Sequence, residues 1–519
     1  MKNIILNSLT KFFSFILLVS ISFSCEEYLD EDFRDGLSPS NFYNNDNEAI
    51  MGLMGAYSQL TSQFGWRHRQ RHNWYQMGTD ESSSNRNAAS DAYNYTHGEG
   101  VWDSHGFWIE AYELVRNTND AILNLEGNDQ LTESVKNSLL GEALTLRALA
   151  YLDLTNIWGD VPYYRDNMTV GELASLERTP VSTIRPEIEA DLQRAFTLLP
   201  STRSGQDLGR VTKWGAMALK AKLHMYDSEW SDMLAACVEI INNSPHTLMD
   251  DFADVYNYSN KTWDNQVNNE HIFWIDFPGA PGLGMNVQQR SNTMFEEYSP
   301  RLRDEPKNKG DKNALKAALK SNNEDFTGWA GCVPLPDMAD QSKWQSGDLR
   351  YEKTVTQEYE GIALKFPYYK KLWNLNQSYG VRSNKSSNYV MVRLADIYLM
   401  AAEAENELNG PDNAYQYVNK VRERAFDPDQ PFSGMTQETF RQAIRDERKW
   451  ELCGEMHRKQ DLIRWGIFVE TVQNTNWRNF NKAAAENIKP IHVKCPIPLD
   501  EILRNPNLLN TDPTNNGYR

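Results

Sequence analysis

Apolar residues recur at helical spacing along most of the chain, and the clearest run, 388–426, sets the pattern for the rest. Leu394, Ile397, Ala401, Ala404 and Leu408 line one face of a helix rich in the strong helix formers Ala, Leu, Met and Glu. Gly410 can take the left-handed conformation that ends a helix, Pro411 cannot extend it, and Asp412 sets an acid at the start of the next helix. That second helix carries Ala414, Val418, Val421 and Ala425 on its apolar face. With so short a link the two helices must pack antiparallel, and Ala401, Ala402, Ala404 and Ala414 let them approach closely.

The same spacing predicts helices over 47–62, 107–125, 132–158 and 183–199, and a hairpin over 212–243 laid out like the 391–425 pair. Further helices, with alternating charge, are predicted over 439–451 and 461–472. The fold class expected is mainly α: a tetratricopeptide-like helical-hairpin scaffold, of three or four degenerate repeats, with a long irregular loop-rich insert. The scaffold is expected over about 46–255 and 389–472 and the insert over about 256–388, within one unit at 46–519. The helical period fails in two places, 64–105 and the insert, where Gly, Ser, Asn and Pro accumulate. Within the insert, 270–277 (EHIFWIDF) reads as a short extended segment.

The first 24 residues change the picture of where this protein works. Lys2 and Lys11 precede an apolar run over 12–23 that is too short for a membrane span, and Ser22 and Ser24 precede Cys25. This reads as an export signal ending at a lipidated Cys25, with an acidic tether over 25–45; a plain secretory signal is the alternative. Cys237, Cys332, Cys453 and Cys495 are far apart and lack paired spacing, so they are expected to be free and buried. The formal charge is −18, with Lys2 and Lys11 the only charges in the signal, and so acidic a body disfavours nucleic acid.

Candidate chemistry thins out on inspection. His68 and His72 have a metal-ligand separation, but Arg67, Arg69 and Arg71 surround them and would repel a cation. There is no phosphate-binding loop and no serine-nucleophile elbow. Paired acids such as Glu99 and Asp103 suit glycoside hydrolysis, yet with 71 acids in the chain a solvated pair is the plainer reading. No cofactor or metal is expected. What survives is an aromatic surplus, 15 Trp and 24 Tyr, concentrated partly in the two non-helical regions. Indole and phenol rings can cover the apolar face of a sugar while Asn, Asp and Arg bond its hydroxyls; equally, such rings can plug gaps beneath long loops. Trp74, Trp274 and Trp373 sit in more apolar runs and read as packing.

Several phrases resemble the RagB/SusD family of outer-membrane nutrient-uptake lipoproteins. They are Cys25 followed by EEYLDED, LRALAYLDLTNIWGDVPYY at 146–164, NNEHIFWIDF at 268–277, SGDLRYEKTV at 346–355, VRLADIYLMAAEAENELNG at 392–410, VNKVRERA at 418–425, RDERKWELCGEMHRKQDLIRWG at 445–466 and the terminal NPNLLNTDPTNNGY. The resemblance covers essentially the whole chain. It implies a non-catalytic scaffold that captures oligosaccharide or polysaccharide at the cell surface and docks on a SusC-like TonB-dependent transporter. It places sugar contacts in variable loops, which here selects Trp66, Arg67, Arg71, Tyr93, Tyr95 and Trp102 after the first helix and Trp263, Trp329 and Trp344 in the insert. Arg67 and Arg71 can pair with an acidic sugar or with the protein's own acids. A peptide-gripping tetratricopeptide-type scaffold and a surface glycosidase are the competing classes.

Overall fold

The structure, a computed structural model, describes residues 43–62, 65–66, 69–84, 91–100, 102–256, 267–277, 297–326, 328–373, 375, 387–477 and 482–519. The predicted signal and Cys25 lie outside them. The long helices are α1 (Asp46–Leu60), α2 (Trp102–Leu125), α3 (Glu133–Trp158), α4 (Val181–Leu198), α5 (Lys213–Asp227), α6 (Trp230–Asn243), α7 (Leu394–Asn409), α8 (Pro411–Ala425) and α9 (Gln437–Leu452). Local chemistry sets their ends. The side chains of Asn45, Thr212 and Thr436 cap α1, α5 and α9 by accepting backbone N–H groups, and Gly410, at φ 85°, separates α7 from α8.

From α2 onward each long helix packs on its successor up to α8, and α6 meets α7 directly across the insert. α1 lies on α2 and α3, and α9 lies on α7. The chain thus resumes its array of helical hairpins where the insert ends. The main core is apolar and runs from Leu53 through Phe107, Leu146 and Leu219 to Ile397 and Ala401.

The insert is tied down by short antiparallel strands. They are β1 (Ser82–Ser83), β2 (His271–Ile275), β3 (Val333–Pro334), β4 (Val355–Tyr359), β5 (Ile362–Tyr369) and β6 (Tyr389–Arg393), paired β1–β3, β2–β6 and β4–β5. β2 fills the extended segment expected at 270–277. Its partner β6 starts the stretch whose helical face begins at Leu394, and Tyr389, Val390 and Val392 are strand formers that complete the pair. β4 and β5 meet at Glu360 and Gly361, both with positive φ, as a tight hairpin turn demands. The single helix expected over 461–472 is two, Arg458–Arg464 and Phe468–Asn474, because Gly466 at φ 72° breaks the run.

A buried web of charge joins the insert to the helices. Arg393 reaches Glu270, Glu451 and Glu455 at 2.7–2.8 Å, and Arg350 reaches Asp348, Glu447 and Glu451 at 2.6–2.9 Å. Burial opposes ionisation of Glu451, but Arg424, Arg393 and Arg350 outweigh it and hold the carboxyl well below the usual carboxylate range. Such a web contributes little net stability against an apolar substitute, yet losing one member strands the others. Cys237, Cys332 and Cys453 are free and buried, as expected, and Cys495 is buried too.

Candidate functional site

The stretch after α1 was expected to offer rings to solvent, and the described part of it is mostly interior. Its organising group is Asp153 on α3, a buried carboxylate that needs donors. Trp66 gives its indole N–H to Asp153 Oδ2 at 2.6 Å and meets Phe107 edge-on at 5.1 Å. Arg71, from the short helix Arg69–Tyr75, reaches the same oxygen at 2.9 Å and donates to the Tyr389 hydroxyl at 2.6 Å; Tyr75 donates to Oδ1. Trp66 is fully covered and Arg71 nearly so, which removes both from the candidate sugar-contacting set. The alternative of pairing with the protein's own acids describes Arg71.

Tyr93 and Tyr95 are buried as well. Gly78, at φ 77°, lets the backbone pass against the Tyr95 hydroxyl and the Tyr93 main chain, and the Tyr95 hydroxyl donates to the Gly78 carbonyl. Tyr95 also packs against Phe468 and His492 and lies 5.4 Å from the Lys459 ammonium, whose burial lowers it to about 7. In the insert, Trp344 gives its N–H to the Met338 carbonyl at 3.1 Å and packs on Trp450 at 4.6 Å, again buried. The physical reason is common to all five: a loop that crosses a helical core must satisfy its own polar groups and fill the space beneath it. Trp74 and Trp274, read as packing, are buried. Arg67, Trp263 and the Trp102 side chain fall outside the described residues.

Trp329 is different, with 42% of its surface exposed. It sits in Gly328-Trp329-Ala330-Gly331, which lies hard against residues 297–299. The Ala330 and Cys332 N–H groups donate to the Ser299 and Glu297 carbonyls at 3.0 and 2.8 Å. A Cβ at Gly328 would stand 2.1 Å from the Ser299 carbonyl oxygen, and one at Gly331 would meet Glu297. Two glycines therefore allow the contact that seats Trp329 on a fixed base. The half-buried Trp373 braces that base by donating to the Tyr298 carbonyl at 3.2 Å and packing on Phe326 at 5.8 Å.

A second open feature was not legible in the sequence. A cleft of ≈ 390 Å³ is lined by Asp80, Leu335, Asp337, Lys449, Ile467 and Glu470, with Asn474 and Asn476 at its edge. Asp80 is held by Arg458 and Lys449, each at 2.8 Å. Burial opposes its ionisation, but those two cations keep the carboxyl well below the usual range. The lining comes from separate parts of the chain, so no local pattern announces it. Among the described residues its lining can bond hydroxyls but holds no aromatic ring to stack on a sugar face. Next to Asp80, Glu81 is buried and pushed up to about 7 by burial, accepting from Gln76 at 2.8 Å and from the Gly454 N–H at 3.2 Å.

Residues 340–518 match the SusD family, and residues 29–225 match a family described as starch-binding and associating with the outer membrane. SusD-like protein P25 of Formosa agariphila is 40% identical over 97% of this chain and 98% of its own length. A SusD homologue of Bacteroides thetaiotaomicron superposes with a TM-score of 0.78 at 20% identity, covering 91% of this chain and 97% of that one. The surface glycan-binding protein A of the same organism, solved with laminarihexaose, gives 0.70 at 20% identity over 88% and 97%. At these identities the two structures speak to the fold alone.

Proposed function

We propose, from the premise that this chain belongs to the SusD family, that it is a non-catalytic glycan-binding lipoprotein of the outer membrane. The observation that carries the reading is the match to a SusD-like relative along nearly the whole chain. Cys25 supplies the lipid anchor, and several acyl chains on one residue hold a protein durably at a membrane. The captured oligosaccharide passes to a SusC-like TonB-dependent transporter on which the scaffold sits.

Trp329 is the residue we assign to sugar contact, because it is exposed and its segment packs closely against residues 297–299. A rigid ring gives stacking area at low entropic cost, while the net gain per polar contact to a hydrated sugar is small, about 1 kcal/mol. Affinity is therefore modest and depends on a few rings. Laminarihexaose, the ligand of one fold neighbour, is the first probe, followed by a panel of plant, host and microbial polysaccharides. Titration calorimetry is expected to show binding to at least one, with no release of reducing ends. Absence of binding across the panel, or hydrolysis of the bound glycan, overturns the reading; copurification of a TonB-dependent transporter with the native lipoprotein tests the delivery step.

A further inference from the structure

The turn joining α5 to α6 gathers side chains that the glycan reading does not use. His224, in the last turn of α5, is buried to 1% exposure. Its Nδ1 lies 2.6 Å from Glu229 Oε2, and the ligand atoms of His224, Glu229 and Asp232 all lie within 4.8 Å of one another. Ser228, in the left-handed conformation at φ 58°, turns the chain so that Glu229 and the first turn of α6 come back over the imidazole. On the opposite side of the ring, Nε2 has no hydrogen-bond partner and faces Glu189 of α4 at 3.7 Å. Of the nearby cations, Arg185 pairs with Asp227, and Lys220, 3.1 Å from Glu189, shares that carboxylate with the ring.

A neutral imidazole has one N–H and cannot serve carboxylates on both sides. If Nδ1 holds the proton, a buried lone pair on Nε2 faces Glu189. If Nε2 holds it, the Nδ1 lone pair faces Glu229 and Asp232, an arrangement that a cation resolves. Metal-bound histidines usually present their other N–H to a carboxylate, and Glu189 stands where that partner is needed. We propose that His224, Glu229 and Asp232 form an open three-ligand site for a divalent transition cation, with zinc the best match. One imidazole and two carboxylates are borderline ligands suited to zinc, water completes the shell, and the exposed acids leave a path for entry. The ion staples α5 to α6 and draws Glu189 of α4 towards the ring, independently of any glycan.

The test uses the chain beginning after the signal segment, freed of metal by chelation and titrated with Zn²⁺ by calorimetry. One equivalent is expected to bind tightly and raise Tm. Glu229→Gln with Asp232→Asn changes two exposed side chains, so the fold survives, and circular dichroism checks that it does. Losing two direct ligands is expected to weaken Zn²⁺ by more than about 100-fold, beyond the usual effect of an outer-shell change, and to abolish the Tm rise. Cobalt substitution is expected to give a visible absorption band that the double variant lacks. Equal zinc affinity in both proteins, or no stoichiometric binding in the parent, overturns the site.

Discussion

The loop after α1 and the Gly328–Gly331 turn read alike in sequence, each breaking the helical period with glycine and with tryptophan set in it, yet they end on opposite sides of the protein surface. Trp66 is sealed against α2 and α3 with its N–H on Asp153, whereas Trp329 is 42% exposed in a segment bonded to residues 297–299. A carboxylate decides the first case. Asp153, buried in the middle of α3, draws in Trp66, Arg71 and Tyr75, and their rings close over the core. Backbone decides the second, where two glycines press one strip of chain onto another and leave the intervening side chain outside. Aromatic content alone therefore does not mark a sugar platform; the destination of the ring's polar atom and the backbone beneath it do.

The largest expected effect comes from breaking the sealed side. Trp66→Ala removes a fully buried indole and leaves Asp153 short of a donor, so it should cost about 3–5 kcal/mol of stability, read as a shift in urea midpoint. Arg71→Met should cost about 3 kcal/mol, because the Asp153 carboxylate then stays buried without its cation. Both variants should retain glycan affinity in the fraction that folds. Normal stability with lost affinity would put these two residues back at the sugar.

Glu81, in the same interior stretch, gives a pH-dependent form of the contrast. Its folded-state value of about 7 lies above the ordinary carboxyl value, chiefly through burial, so between roughly pH 4.5 and 7 the folded protein holds more protons than the unfolded chain. Stability from this group is full below that window and falls as pH rises through it. Glu81→Gln keeps an acceptor for Gln76 and Gly454 but carries no charge. It should match the parent near pH 4 and exceed it at pH 8 by on the order of 2 kcal/mol, as thermal scans at the two pH values would show. An advantage that did not grow with pH would mean that Glu81 reaches solvent.

Much of the frame was legible because a 3.6-residue period repeated over long helices is a strong local signal: α1 to α9 lie within a few residues of where the apolar faces put them. The site was harder because burial of polar side chains is a long-range property. Arg350, Arg393, Glu447 and Glu451 look like solvated charges in sequence, and only their mutual contacts explain why all four are interior. Arg71 follows the same logic through Asp153, 82 positions away. His224 was overlooked because Glu229 and Asp232 come back to it only through the turn into α6 and Glu189 lies on α4, while the closer-spaced His68 and His72 drew attention first.

The smallest change in stability, and the sharpest contrast with Trp66, is expected at Trp329. Trp329→Ala removes a ring that is 42% exposed, so unfolding free energy should fall by about 1–2 kcal/mol, less than at the fully buried Trp66. Glycan affinity should fall about tenfold, equivalent to about 1.4 kcal/mol. Gly328→Ala separates the ring from its seat: the new Cβ would stand 2.1 Å from the Ser299 carbonyl oxygen, so the backbone must shift while the indole remains. If stacking depends on where the segment holds the ring, this variant loses affinity although Trp329 is intact. Undiminished binding in Gly328→Ala alongside a tenfold loss in Trp329→Ala would mean that the ring matters and its rigid seat does not. Undiminished binding in both would move the platform away from Trp329 altogether.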